Sequence, residues 1–175
     1  RNEVSDADWQ EFDRDKREWI IPAARTKNKV EHFVALSSHA IEELDLLAGS
    51  DNWPKRGLVF SADGKSSVGG FSKLKKKLDL AILDDLGDDN MDGWRFHDLR
   101  RSAATHMQRL RVPNEQVEAV QNRLAGRSKP GAGKSYLLYD FADEKREAME
   151  RWGAFLAGLT AKMDNVLKLT GAVRG

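Results

Sequence analysis

The chain has 175 residues, with 29 Lys+Arg against 28 Asp+Glu, four His, no Cys, and 33% charged residues against 40% hydrophobic ones. That balance fits one soluble domain with a real core, and it excludes disulfide frameworks, thiolate metal sites and cysteine nucleophiles. No apolar run approaches the ~20 residues of a membrane span, and the charged first eighteen residues carry no signal-peptide pattern, so a cytoplasmic location is expected.

In chain order, Trp19 to Pro22 and Val30 to Leu36 are short apolar or alternating runs separated by the polar turn RTKNK, which predicts a β-hairpin. Ser37 or Ser38 then caps a helix from about His39 to Ala48, with Ile41, Leu44 and Leu47 on one face and Gly49 closing it. Leu58 to Phe60 is a short buried segment between two loops. Phe71, Leu74, Leu78 and Ile82 recur at helical spacing through a lysine-rich helix that ends near Gly87. A further helix starts around His97, with Leu99, Ala103, His106, Met107 and Leu110 as its apolar stripe and Pro113 as its stop. Val117, Val120 and Leu124 mark another, and a long amphipathic helix runs from Asp143 to about Val166, with Met149, Trp152, Phe155, Leu156 and Leu159 apolar. The predicted fold class is mainly α with a small antiparallel β-sheet near the N-terminus, in one domain.

A formal net charge of +1 carries no whole-protein argument for nucleic acid, but the charge is partitioned. Arg1 to Glu18 holds seven acids and four bases, whereas Arg95 to Lys134 holds nine bases and three acids, a net +6. Lys73, Lys75, Lys76 and Lys77 form a second basic cluster. Such asymmetry builds either solvated helix faces or a phosphate-facing surface.

Most chemical motifs fail on spacing. Ser128 to Ser135 (SKPGAGKS) resembles a phosphate-cradling loop, but Ser128 stands where the first glycine belongs and the preceding segment is helical. No nucleotide is therefore expected, and loss of nucleotide binding in Lys134→Ala would be needed to argue otherwise. The four histidines show no zinc pairing, so no metal is expected; His106 reads as a hydrogen-bonded core residue, and His32 and His39 as surface or partner-packing residues. His97 and Arg100 lie one turn apart at a helix start, where backbone N–H groups favour an anion; the pair suits either a phosphoryl-transfer site or, by spacing alone, ordinary helix-end charge with a salt bridge.

The strings WRFHDLRRSAATHMQRLRVP, VEAVQNRLAG and SYLLYDFADEKREAMERWG, in that order, resemble the catalytic domain of tyrosine recombinases, specifically bacteriophage and genomic-island integrases. The hairpin WIIPAARTKNKVEHFVALS and the opening EVSDADWQEFD are similar to the same family, so the resemblance covers Arg1 to about Leu159. It implies site-specific recombination, the integration or excision of a prophage or genomic island, without cofactor. Tyr136 would be the nucleophile, preferred to Tyr139, attacking a scissile phosphate to give a 3′-phosphotyrosine link and a free 5′ hydroxyl. His97 and Arg100 match the family's second box, and Lys27 matches the lysine that protonates the leaving oxygen. Arg95, Arg101, Lys73, Lys75, Lys76, Lys129 and Lys134 would contact DNA. The implied partners are double-stranded attachment sites and other integrase subunits, as a dimer or tetramer on nucleoid DNA, with no membrane.

Two departures qualify the match. Arg123 stands where the family has histidine or tryptophan, and arginine donates hydrogen bonds but does not shuttle protons near neutral pH. Glu3 matches the acid of the first box, so either the first arginine lies one residue ahead of Arg1 or the register shifts and Arg1 takes that role. The expectation is a C-terminal catalytic domain (1–175) whose arm-binding and core-binding domains are absent, with 143–175 as a helix and tail in which Leu156, Leu159, Val166 and Leu167 either reach a neighbouring subunit or pack in the local core. The competing expectation is a degenerate module that binds DNA or integrase subunits without cleaving.

Overall fold

The computed structural model describes residues 2–27, 29–61, 63–87, 91–123 and 141–170, with side chains as far as residue 161 in the last helix. Tyr136, Tyr139, Leu124, Lys129 and Lys134, and the side chains of Val166 and Leu167, lie outside the described residues. A short helix α1 (Asn2–Ser5) leads through a 3-10 turn (Trp9–Glu11) into a three-stranded antiparallel sheet, β1 (Phe12–Asp13), β2 (Glu18–Ile21) and β3 (His32–Ala35), in the order β1-β2-β3. The helices α2 (Ser38–Ala48), α3 (Phe71–Leu86), α4 (Phe96–Arg109), α5 (Asn114–Val120) and α6 (Ala142–Thr170) follow.

The expected hairpin is β2–β3, with Ile21 opposite His32 and Trp19 opposite Val34. The expectation contained no β1, which is two residues long and half polar, and pairs Phe12 with Trp19. Those two rings stack at 5.0 Å and, with Trp9 and Trp53, form an aromatic floor. Ala7, Trp9, Leu36, Leu44 and Val59 are buried above it, so the short Leu58–Phe60 segment does enter the core.

Helix α2 starts where a serine can cap it: Ser37 Oγ accepts from Ala40 N–H at 3.2 Å, and Gly49 ends it in the left-handed region at φ 73°. Leu44 is buried, but Leu47, expected on the same face, is exposed; Ala40, Ile41 and Ala48 make the contacts instead. Helix α4 ends four residues ahead of Pro113. Arg111 (φ 62°) takes the left-handed position, its N–H bonding Gln108 O and that of Val112 bonding Met107 O, which satisfies the last carbonyls before proline is reached. Val112 and Met107 are both buried there, in a second core cluster with Val117 and Ala148. Leu99 lies two turns ahead of Met107, outside the part of α4 that this cluster covers, and is exposed rather than part of a buried stripe. His106 is half-buried; its Nδ1 lies 2.9 Å from Ser102 O and its ring packs on Trp152 and Phe155.

Helix α6 joins the two clusters, packing on α2, β3, α4 and α5. At its crossing with α2, Gly153 is buried directly against Ser37. Glu150, one turn earlier, accepts from Ser38 N–H at 3.0 Å and from Arg17 at 2.7 Å. Arg146 pairs with Glu18 and lies over the Phe33 ring, tying the start of α6 to the sheet. Leu156 is half-buried and Leu159 exposed.

Candidate active site

An open cavity of about 540 Å³ lies between the β2–β3 hairpin, helix α1 and the end of α5. Its floor is apolar, from Trp19, Ile21, Val34 and Val120, and its polar wall comes from Glu3, Lys27, His32, Arg100, Gln121 and Asn122. Four elements, α1, the hairpin, α4 and the end of α5, thus meet around a volume in the usual range for a ligand site.

Each wall residue is held by an identifiable local device. Lys27 sits on the hairpin turn beside Thr26, whose buried hydroxyl lies 3.1 Å from Ala23 O and 2.7 Å from Val30 O. A threonine there bridges the two arms of the turn, leaving the lysine exposed at the cavity rim. On α4, Asp98 accepts from Arg95 N–H at 2.8 Å and closes the first turn, which sets Arg100 one turn in. Helix α5 ends with Asn122 at φ 53°, its N–H bonded to Ala119 O and that of Arg123 to Glu118 O at 2.8 Å. Asparagine adopts this left-handed position more readily than most residues, so the motif fixes where the following Arg123 emerges.

Arg100 and this turn grip each other. The Arg100 guanidinium donates to Gln121 O, and Gln121 Nε2 donates back to Arg100 O at 2.8 Å. Burial, then the charge of Arg123, pushes the Arg100 pKa below its ordinary value, while Glu3 acts in the opposite direction. The guanidinium remains charged in any case. The Arg100 guanidinium in a partly desolvated wall, with the exposed Arg123 beside it and one carboxylate nearby, favours the arrival of an anion such as a phosphodiester.

The other predicted residues that are described lie outside the cavity lining. His97 is exposed on the first turn of α4 and is not among the residues lining it; Arg123 is exposed beside it. Arg95 and Arg101 are exposed on α4. The lysine helix reaches the same end of the molecule because Phe71 packs edge-on against Phe96 at 5.9 Å and Trp94 against Phe96 at 5.7 Å. Lys73 and Lys76 are exposed there, whereas Lys75 is bonded to Asp79 at 2.7 Å and lies 4.3 Å from the Trp94 ring centre.

Sequence reasoning missed Gln121 and misplaced His32. His32 is buried, not on the surface; it faces the cavity and lies opposite Ile21, which is equally buried. Burial, then the charges of Lys145 and Arg100, lowers its pKa from 6.5 to about 4, so the ring is neutral at physiological pH. The Val120 backbone acts in the opposite direction and favours the charged ring. The signal that could have found it is strand register, since a residue paired with a buried isoleucine faces the same side.

Residues 1–128 match the Phage integrase family. The chain is also similar to prophage integrase IntA of Escherichia coli (strain K12), 28% identical over 151 residues, which is 86% of this chain and 34% of that protein. It therefore spans about a third of the length of the curated relative it matches. No solved structure matches. With the match covering most of the chain and the basic cavity assembled from the hairpin, α4 and the end of α5, the chain belongs to the phage integrase family of tyrosine recombinases.

Proposed function

We propose that this chain acts as the catalytic domain of a site-specific DNA integrase, cutting and rejoining attachment-site DNA through Tyr136. The observation that carries the reading is the cavity that brings Lys27, Arg100 and Glu3 together beside Arg123. In this mechanism Arg100 and Arg123 donate to the non-bridging oxygens of the scissile phosphate, where charge builds in the transition state. The Tyr136 oxygen forms the new bond to phosphorus and the bond to the 5′ oxygen breaks. Lys27 delivers a proton to that leaving oxygen, and His97 accepts the tyrosine proton. A 5′ hydroxyl from the partner strand then attacks the phosphotyrosine and restores a phosphodiester. The exposed Lys73, Lys76, Arg95 and Arg101 support contact with the flanking DNA backbone, as would Lys129 and Lys134. Further integrase subunits on the DNA, reached through the segment 143–175, complete the recombination assembly.

A second reading is favoured by one specific feature. Arg123 replaces a residue able to exchange a proton, which suits a module that binds DNA or integrase subunits without cutting. A nicked duplex carrying the element–chromosome junction separates the two. The full-length protein should form a covalent adduct that Tyr136→Phe abolishes; DNA binding with no adduct from the wild-type protein refutes the catalytic reading in favour of the second.

A further inference from the structure

Within that recombinase reading, one buried group is left without a task. His32 lies in the cavity wall between Arg100 on α4 and Lys145, itself buried, near the start of α6. Glu3 and Lys27 line the same cavity. A polar ring is seldom buried beside two cations unless its hydrogen bond matters, because burial of an unpaired polar group is costly.

The ring's surroundings are informative. His32 lines the cavity together with Val120, whose backbone acts on the ring's protonation, and with Gln121, the next residue, which makes the two-way grip on Arg100. On its own side, His32 is fixed by pairing with Ile21 across the hairpin that carries Lys27, five residues upstream. The lysine hairpin and the turn after α5 belong to elements with separate hydrogen-bond ladders, and this ring lies in the cavity wall where the two meet. We propose that His32 is a positioning residue: its ring N–H donates to Val120 O and so sets the turn that aims Arg100 and Arg123 relative to Lys27.

The ring does this work in its neutral form. Protonation would place a third positive charge between Arg100 and Lys145 and drive the hairpin from the turn. Arginine at position 123 makes the alignment more important, since a planar guanidinium recognises a phosphate only within a narrow angular range.

Single-turnover adduct formation on the nicked junction duplex, at saturating DNA, tests the proposal. His32→Leu should slow the reaction roughly 10- to 100-fold, the cost of a misaligned catalytic group, with DNA affinity unchanged within about twofold. His32→Gln, which keeps an N–H donor, should recover most of the rate. His32→Leu added to Arg100→Ala should cause little further loss, because the first acts through the second. A wild-type rate in His32→Leu, or a full additional loss on top of Arg100→Ala, overturns the proposal. His32→Asn, shorter but polar, serves in place of leucine where leucine prevents folding and should be similarly slow. A second measurement needs no cleavage: the Nε–H resonance of Arg100 should shift and broaden in the leucine or asparagine variant and return in His32→Gln. An unchanged resonance overturns the proposal. Absence of any wild-type adduct counts against the recombinase reading alone, and the arginine resonance then still decides the role of His32.

Discussion

Two glycines in α6 make opposite predictions from the same substitution. Replacing glycine by alanine within a helix ordinarily stabilises it by about 0.5–1 kcal/mol, through lower backbone entropy in the unfolded chain. At Gly158 an added Cβ meets nothing within 4 Å, so Gly158→Ala should gain that amount. At Gly153 the added carbon would lie 2.5 Å from Ser37 Cβ and against the Ser37 hydroxyl, well inside van der Waals contact. Relief requires α6 to back away from α2, since rotating Ser37 moves its hydroxyl but not its Cβ, and moving the hydroxyl also releases the Ala40 N–H it caps. Overpacking costs about 1–3 kcal/mol and a lost N-cap about 1 kcal/mol, against a propensity gain of about 1 kcal/mol, so the net is about 2 kcal/mol destabilising. Urea denaturation of the three proteins measures this directly. Adding Ser37→Gly to Gly153→Ala should recover most of the loss, since glycine caps nearly as well as serine and removes both clashing atoms. Should Gly153→Ala stabilise as much as Gly158→Ala, the α2–α6 crossing described here would be wrong, and with it the seating of the helix that follows Tyr136.

Two further predictions concern charge. His32 has a pKa of about 4 in the folded protein against 6.5 free, so between those values the unfolded chain binds the extra proton; stability should fall as pH drops from about 6.5 to about 4, by up to about 3 kcal/mol. The stability–pH slope of His32→Gln, followed by urea midpoints, should be flatter over that window, and an identical slope would contradict the buried neutral ring. For DNA, Lys76→Ala should lower the salt dependence of binding by about one unit of slope, as loss of one phosphate contact does, whereas Lys75→Ala should leave it nearly unchanged because Asp79 and Trp94 already engage that ammonium. Fluorescence anisotropy across a salt series distinguishes them.

Helix ends were legible in the sequence wherever a local device sets them, as Ser37 and Gly49 do for α2 and Gly87 does for α3. They were misread where proline is conspicuous but comes too late: α4 is closed by the left-handed Arg111, a residue with no turn signature. Periodicity identified apolar stripes but not their burial. Leu47 and Leu99 face solvent because neighbouring elements fail to cover them, a tertiary fact absent from the spacing. The site divides in the same way. Lys27 and Arg100 carry motif signals and line the cavity together, while His32 and Gln121 are ordinary polar residues whose roles arise from strand register and from a helix end. Tyr136, legible as a motif, lies outside the described residues.

The lysine helix α3 contributes no buried residue to either core cluster and meets α4 through the Phe71–Phe96 contact and the Lys75–Trp94 stack. Substitutions along most of its length therefore leave the packed frame around Lys27 and Arg100 undisturbed. Lysines can be gained, lost or shifted by a turn at little cost in folding, and each change alters where α3 presents positive charge. The charge that α3 presents can thus change while the cavity around Lys27 and Arg100 keeps its geometry, because the two are joined through a few aromatic contacts.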